Sequence, residues 1–183
     1  QLWSNLTSSL KMTSPRYQDI PSQEIKEIHD DDGSQIRIIV GNYRGYKGPV
    51  TDIFIDPQFL DIFVPPNTLK TIPVSVDKNA LAYIFEGSAK FDYASSPRGI
   101  NIEKSINGNE IKMQDLSGNK TLINFDKGDN IKLMSGENGI RFLLISGKPI
   151  QEPVAWHGPI VMNNFDEINL AMKELNDGTF IKK

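Results

Sequence analysis

From residue 35 onward the chain alternates short apolar runs with Gly, Asn, Asp and Pro punctuation. The first run, Gln-Ile-Arg-Ile-Ile-Val at 35–40, is β-branched and stops at Gly41, which predicts a strand. Comparable runs occupy 50–55, 59–64, 70–76, 80–86, 88–93, 120–125, 130–134 and 140–146. Short strands separated by turn residues in this way predict an all-β sandwich or barrel. The stretch between Ser95 and Gly118 is looser; Asn107-Gly108 and Ser117-Gly118-Asn119 place a weak hairpin there. No self-similar period marks a propeller or solenoid. One helical pattern appears, near the C-terminus. Asn163 or Asn164 caps it, Asp166 and Glu167 occupy its first turn, and Gly178 closes it. Ile168, Ala171, Met172 and Leu175 form one apolar stripe that must bury against this barrel or a neighbour.

The first 34 residues have a different texture, polar and broken by Pro15 and Pro21. Residues 15–20 allow a short turn of helix. His29-Asp30-Asp31-Asp32-Gly33 reads as a solvated turn, because the Asp triplet lacks the alternating ligands and distal Glu of a calcium loop. The chain therefore divides into a linker-like 1–34, a β-barrel at 35–147, and a Pro/Gly-braced loop with the helix at 148–183.

Composition narrows the function. Twenty Lys and Arg against 23 Asp and Glu give a net charge of −3, with basic residues scattered, which argues against a dedicated nucleic-acid binder. Cysteine is absent, removing thiol nucleophiles, disulfides and Cys-based metal sites. No apolar run is long enough for a membrane-spanning helix. The first residues, Gln-Leu-Trp-Ser-Asn-Leu, lack the charged lead and apolar core of a signal peptide, and residue 1 is not Met. The expectation is a cut or processed chain of intracellular origin. Two Asn-x-Thr tripeptides, at Asn5 and Asn119, carry no weight without a sign of secretion.

Few residues offer chemistry. Tyr83-Ile84-Phe85-Glu86-Gly87, followed about forty residues later by Asp126-Lys127-Gly128-Asp129, resembles the strand-and-turn patterns of cupins. Metal-binding cupins carry two His and a Glu just before the first pattern. Here 72–82 holds no His, Glu or Cys, and Ser75 and Asp77 are its only polar ligands of note. A hydroxyl and a carboxylate lack the imidazoles that hold iron, copper or zinc, so no metal is expected in this barrel. His29 is expected at the surface. His157 lies in a braced loop beside Trp156, with no partner near it in sequence. There is no nucleophile elbow, Walker loop or dinucleotide fingerprint.

At larger scale the residues resemble one family. Gln1-Leu2-Trp3-Ser4-Asn5-Leu6 and Lys11-Met12-x-x-Pro15-Arg16-Tyr17-Gln18 are similar to the segment joining the two halves of pirins. Most specific is the run from Arg141 through Pro149, Glu152, Pro153, Trp156, His157, Gly158 and Pro159 to Met162 and Asn163. The resemblance covers nearly the whole chain but only the C-terminal half of a pirin. It implies a cupin-type barrel, a double-stranded β-helix, with a short linker helix and a C-terminal α-helix; residues 1–34 are then the end of an N-terminal barrel plus the linker. Pirins are described as iron-binding bicupins acting as nuclear transcriptional co-regulators, and some members cleave quercetin with dioxygen. Their iron sits in the N-terminal barrel on three His and one Glu, motifs that this chain lacks.

The resemblance thus implies no catalytic, cofactor or metal residue here, iron in a barrel outside this chain, and cytoplasmic or nuclear residence. The expected partners are that N-terminal barrel, a transcription-factor complex in the longer protein, or a second copy through an exposed interface; nucleic acid and membrane are not expected. Trp3, Trp156, His157 and Met162 are the candidate interaction residues, because a Trp in a rigid loop is a common interface anchor. A different reading keeps its place beside this one: a small-molecule binder or quercetinase-like enzyme using its own barrel cavity.

Overall fold

The computed structural model describes residues 2–51, 53, 56–91 and 116–182. Its strands are β1 Lys26–His29, β2 Gln35–Val40, β3 Asn42–Tyr43, β4 Tyr46–Lys47, β5 Gln58–Val64 and β6 Leu69–Pro73, then β7 Asn79–Phe91, β8 Ser117–Gly118, β9 Thr121–Asn124 and β10 Asn130–Gly147. A hairpin, β11 Ala155–His157 and β12 Ile160–Met162, precedes the helix α1 Phe165–Asn176. The main sheet runs β1-β2-β5-β10-β7-β8, with β6 added on β10 and β9 on β7. β10 is the spine: its first part pairs β6, its second part pairs β5, and β7 runs beside both. All these pairings are antiparallel, which gives the cupin-type barrel expected from the strand pattern.

Period-2 alternation decides which side chains fill it. Ile38, Leu60, Leu144 and Ala82 make one cross-strand row; Ile36, Ile62, Phe142 and Ile84 make the next, and all eight are fully buried. Phe142 meets Phe91 edge to face at 6.1 Å between centroids, closing the core toward β7.

Two expected breaks are bulges. The runs 80–86 and 88–93 fuse into β7 as far as the described residues go, and 130–134 and 140–146 fuse into β10. Ser135 pairs with Ala89 and Ile140 with Gly87, so four residues of β10 oppose the single Ser88. Gly87 has φ +69°, and a Cβ there would lie 2.1 Å from the Gly139 carbonyl oxygen. The glycine therefore serves close strand approach and not a chain reversal. A second bulge at Phe85 sharpens the bend.

The N-terminal stretch also departs from expectation. Residues 15–20 form no helical turn; 3-10 turns occur instead at Ser8–Leu10 and Ser22–Glu24. β1, inside the stretch read as linker, pairs with β2 and extends the sheet. The expected strand at 50–55 lies largely outside the described residues, with Val50 making an isolated bridge to Val40. The expected hairpin at 95–118 lies outside them up to residue 115, and β8 pairs with β7 just beyond.

The helix forms where its cap predicts. The Asn164 side chain accepts from the Glu167 N–H at 2.9 Å, and Glu167 reaches back to the Asn163 N–H at 2.8 Å, a reciprocal cap. α1 packs on β11 and β12, where Ala155, Ile160, Met162, Ile168 and Ala171 make a second, smaller core. The stripe is only half satisfied: Leu175, its last member, is 47% exposed.

Candidate functional site

The second core carries the most exposed aromatic surface among the candidates. β11 and β12 pair Ala155 with Met162, Trp156 with Val161 and His157 with Ile160. Ala155 and Met162 face inward onto α1, so Trp156 faces out. Met162, expected to help form a docking surface, is therefore a core residue, 8% exposed. The alternation from Trp156 through the turn at Gly158 to Met162 carries that signal in the sequence itself.

Trp156 is held rigidly. Its indole N–H donates to the Gly158 carbonyl at 2.7 Å, and its ring meets Trp3 edge to face at 6.3 Å between centroids. The two indoles remain 67% and 55% exposed, with Leu2 and Val154 exposed as well. His157 is exposed on the same hairpin.

Glu152 ties the N-terminal segment to this module. Its Oε2 accepts the Ser8 N–H at 2.7 Å and the Asn163 side-chain amide at 2.8 Å. These bonds, that from Ser8 foremost, hold its carboxyl below the usual range. Lys11 Nζ donates to Asn5 Oδ1 at 2.8 Å and firms the same segment. The two tryptophans, 153 positions apart in sequence, thus sit on one braced surface.

A constellation invisible in the sequence lies in the barrel. The Asp triplet forms the expected turn with Asp31 and Asp32 exposed, but its first member is not solvated. Asp30 is buried, and its Oδ2 accepts from Lys70 Nζ at 2.5 Å and from the Tyr43 hydroxyl at 2.7 Å. Lys70, 2% exposed, also reaches Asp32 Oδ2 at 2.9 Å, and Arg44 Nη1 lies 2.9 Å from Asp30 Oδ1. Burial alone would raise Asp32, but the bonds from Lys70 and Ser34 overcome it and its carboxyl lies below the ordinary value. Burial foremost, with Asp30 beside it, pushes the Tyr43 phenol well above its ordinary value. The cluster clamps the β1–β2 turn and the β3–β4 hairpin to β6. Lys70 is thus not one of the ordinary surface charges that scattered basic residues suggest.

An iron site needs imidazoles or free carboxylates facing the barrel interior. Of the two histidines, His29 sits on the edge strand with its Nε2 3.1 Å from Glu27, and His157 is on the distal hairpin. Asp30 and Asp32 are both engaged by Lys70. The Ser75 hydroxyl donates to Asp77 at 2.6 Å, outside the core. Among the described residues no three His, Asp or Glu side chains are grouped to hold a metal. The donor set among the described residues does not fit iron. A shallow cleft of about 300 Å³ opens at the barrel rim, lined by residues including Asn42, Gln58, Ser75 and Lys78; Lys78 is paired there with Asp56.

Comparison with known proteins aligns with this geometry. The family model described as the pirin C-terminal cupin domain matches residues 59–181. A protein of Thermoplasma acidophilum, provisionally named a quercetin 2,3-dioxygenase, is 32% identical over all of this chain and 64% of its own length. Pirin-1 of Arabidopsis thaliana is 34% identical over 95% of this chain and 55% of its own. The crystal structure of quercetin 2,3-dioxygenase from Acinetobacter baumannii superposes with a TM-score of 0.78 at 29% identity, covering 98% of this chain and 56% of that one. The chain thus spans between about half and two thirds of the length of these proteins.

Proposed function

The chain belongs to the pirin family through its C-terminal cupin domain, and from that premise we propose that it is the docking barrel of a two-barrel protein. In this reading it holds no metal and carries no reaction of its own. The observation that supports it most is the Trp3–Trp156 pair, braced through Glu152 and left more than half exposed. Rigid aromatic anchors lose little conformational entropy on binding, and such residues dominate the energetics of packed interfaces. A filled apolar interior with both nearby carboxylates engaged offers chemistry little purchase.

A second barrel would then supply iron and any flavonol oxidation, or the contacts of a transcriptional co-regulator. This chain would position that barrel and extend its interaction surface. Residence in the cytoplasm or nucleus belongs to the same proposal and rests on the family alone.

Activity tests the reading directly. The purified 183-residue chain, supplied with ferrous iron, dioxygen and quercetin, should consume no quercetin beyond the rate in buffer. Multiple turnovers by this chain alone would overturn the proposal and favour an enzyme working in its own cavity.

A further inference from the structure

Four charged side chains meet between the β1–β2 turn, the β3–β4 turn and β6, and one of them is an amine. The side chains of Lys70 and Asp30 are each 2% exposed, and Lys70 Nζ lies 2.5 Å from Asp30 Oδ2. An ordinary charge-assisted N–H···O bond spans about 2.7–2.9 Å, so this pair is pressed closer than an ion pair needs. Asp30 Oδ1 is also buried and lacks a hydrogen bond among the described residues, since Arg44 Nη1 approaches it at 2.9 Å without the alignment of one. Holding an ion pair out of water with an oxygen unsatisfied is costly. A neutral product would relieve that cost.

The groups around the pair fit the condensation of an amine with a carboxyl group. In bulk water that reaction fails, because both partners are ionised and water is in excess. Burial weakens both objections, and fixed contact replaces chance encounter. Asp32 meets Lys70 Nζ at 2.9 Å through Oδ2 and 3.2 Å through Oδ1, placed to accept a proton from it. The Tyr43 hydroxyl donates to Asp30 Oδ2 at 2.7 Å, which helps that oxygen leave. Arg44, beside Oδ1, is placed to stabilise negative charge there. Asp32 is the outer of the two carboxylates, its side chain 31% exposed, so water formed here has a way out.

The geometry points to an amide cross-link between Lys70 Nζ and Asp30 Cγ, made by the folded chain on itself. One proton passes from Nζ to Oδ2 along the short bond, and the freed amine attacks Cγ. Asp32 takes a second proton from the attacking nitrogen while Oδ1 carries the negative charge beside Arg44. The Cγ–Oδ2 bond then breaks, and Oδ2 leaves as water with the proton returned by Asp32. One N–C bond forms, one C–O bond breaks and one water is lost; nothing is oxidised or reduced. The chain folds with the ion pair in place, and the amide accumulates afterwards.

The link has a mechanical consequence whether or not the barrel docks. β1 lies at the end of the main sheet, paired with β2, and three of its four residues are exposed. Such an edge opens more readily than the strands of the core. β1 is also where the segment bearing Trp3 enters the sheet. An amide at Asp30 stops that opening at the β1–β2 turn. By joining positions 40 apart it also removes loop-closure entropy from the unfolded chain.

Intact-mass spectrometry of the denatured chain, sampled over days after refolding, tests the link. The wild type is expected to start at its sequence mass and to converge on that mass less one water. Fragment spectra should then join the peptide holding Asp30 to the peptide holding Lys70. Lys70→Arg keeps the cation but loses the primary amine, and should stay at full mass. Asp32→Asn should slow the accumulation about 100-fold, the usual contribution of a positioned base. Water loss that persists in Lys70→Arg would be a succinimide at an Asp-Gly pair, Asp32-Gly33 or Asp177-Gly178, and would overturn the link. A folded wild type that keeps its full sequence mass throughout would overturn it as well, leaving Lys70 and Asp30 an ion pair. The fragment map of the wild type decides the matter even where Lys70→Arg fails to fold.

Discussion

Lys70 points into the barrel from β6, where its ammonium meets the buried carboxylate of Asp30 and the more exposed one of Asp32. Replacing it with Met would leave Asp30 buried beside Tyr43 with only the partly exposed Arg44 nearby. Breaking one side of a buried pair costs about 3–5 kcal/mol, so Lys70→Met should lower the urea midpoint by a corresponding amount. Replacing Lys70, Asp30 and Tyr43 together with apolar residues should recover much of that loss, since the cluster is held together by mutual satisfaction. Glu152 differs, being only half-buried, and it acts on geometry more than on stability. Its folded pKa is depressed, so its bonds to Ser8 and Asn163 are fully present above the unfolded value of about 4.3 and are lost as pH falls through the lower folded one. The indole resonance of Trp156 should therefore shift on acidification below that value and stay flat in Glu152→Gln. A wild-type signal equally flat would contradict the latch.

Elements divide into two unequal cores. The barrel buries its rows across long strands, whereas α1, β11 and β12 share only a few buried side chains, Ile168 and Ala171 among them. So small a unit has little independent stability and leans on its neighbours. Ile168→Ala should cost about 2–4 kcal/mol within that unit. Amide exchange in β11 and β12 should speed up while β10 stays protected; loss of protection in both together would show a single cooperative core. The apolar strand runs and the helix were legible in sequence, because β-branched runs and the Asn164 cap act locally, but the fusion of those runs into the long β7 and β10 was not. The bulge at Gly87 was not, since a glycine between two apolar runs serves a turn or a close approach equally well. Only its partner, the Gly139 carbonyl, decides between them.

At the scale of the whole molecule, the candidate surface was half legible. Trp3 and Trp156 stood out by type and loop context, but their meeting through Glu152 depends on a contact across 144 positions. The Asp30–Lys70 pair, 40 positions apart, left no sequence trace beyond a charge at an inward position of β6. In the proposed reading this barrel works by contact and holds no iron, its interior closed by side chains such as Phe142 and Leu144 and the carboxylates of Asp30 and Asp32 engaged by Lys70. The most direct test is metal analysis of the purified chain after anaerobic loading with ferrous iron and desalting. Iron is expected far below one atom per chain, unchanged when both His29 and His157 are replaced by Ala. One iron per chain that survives desalting would contradict it.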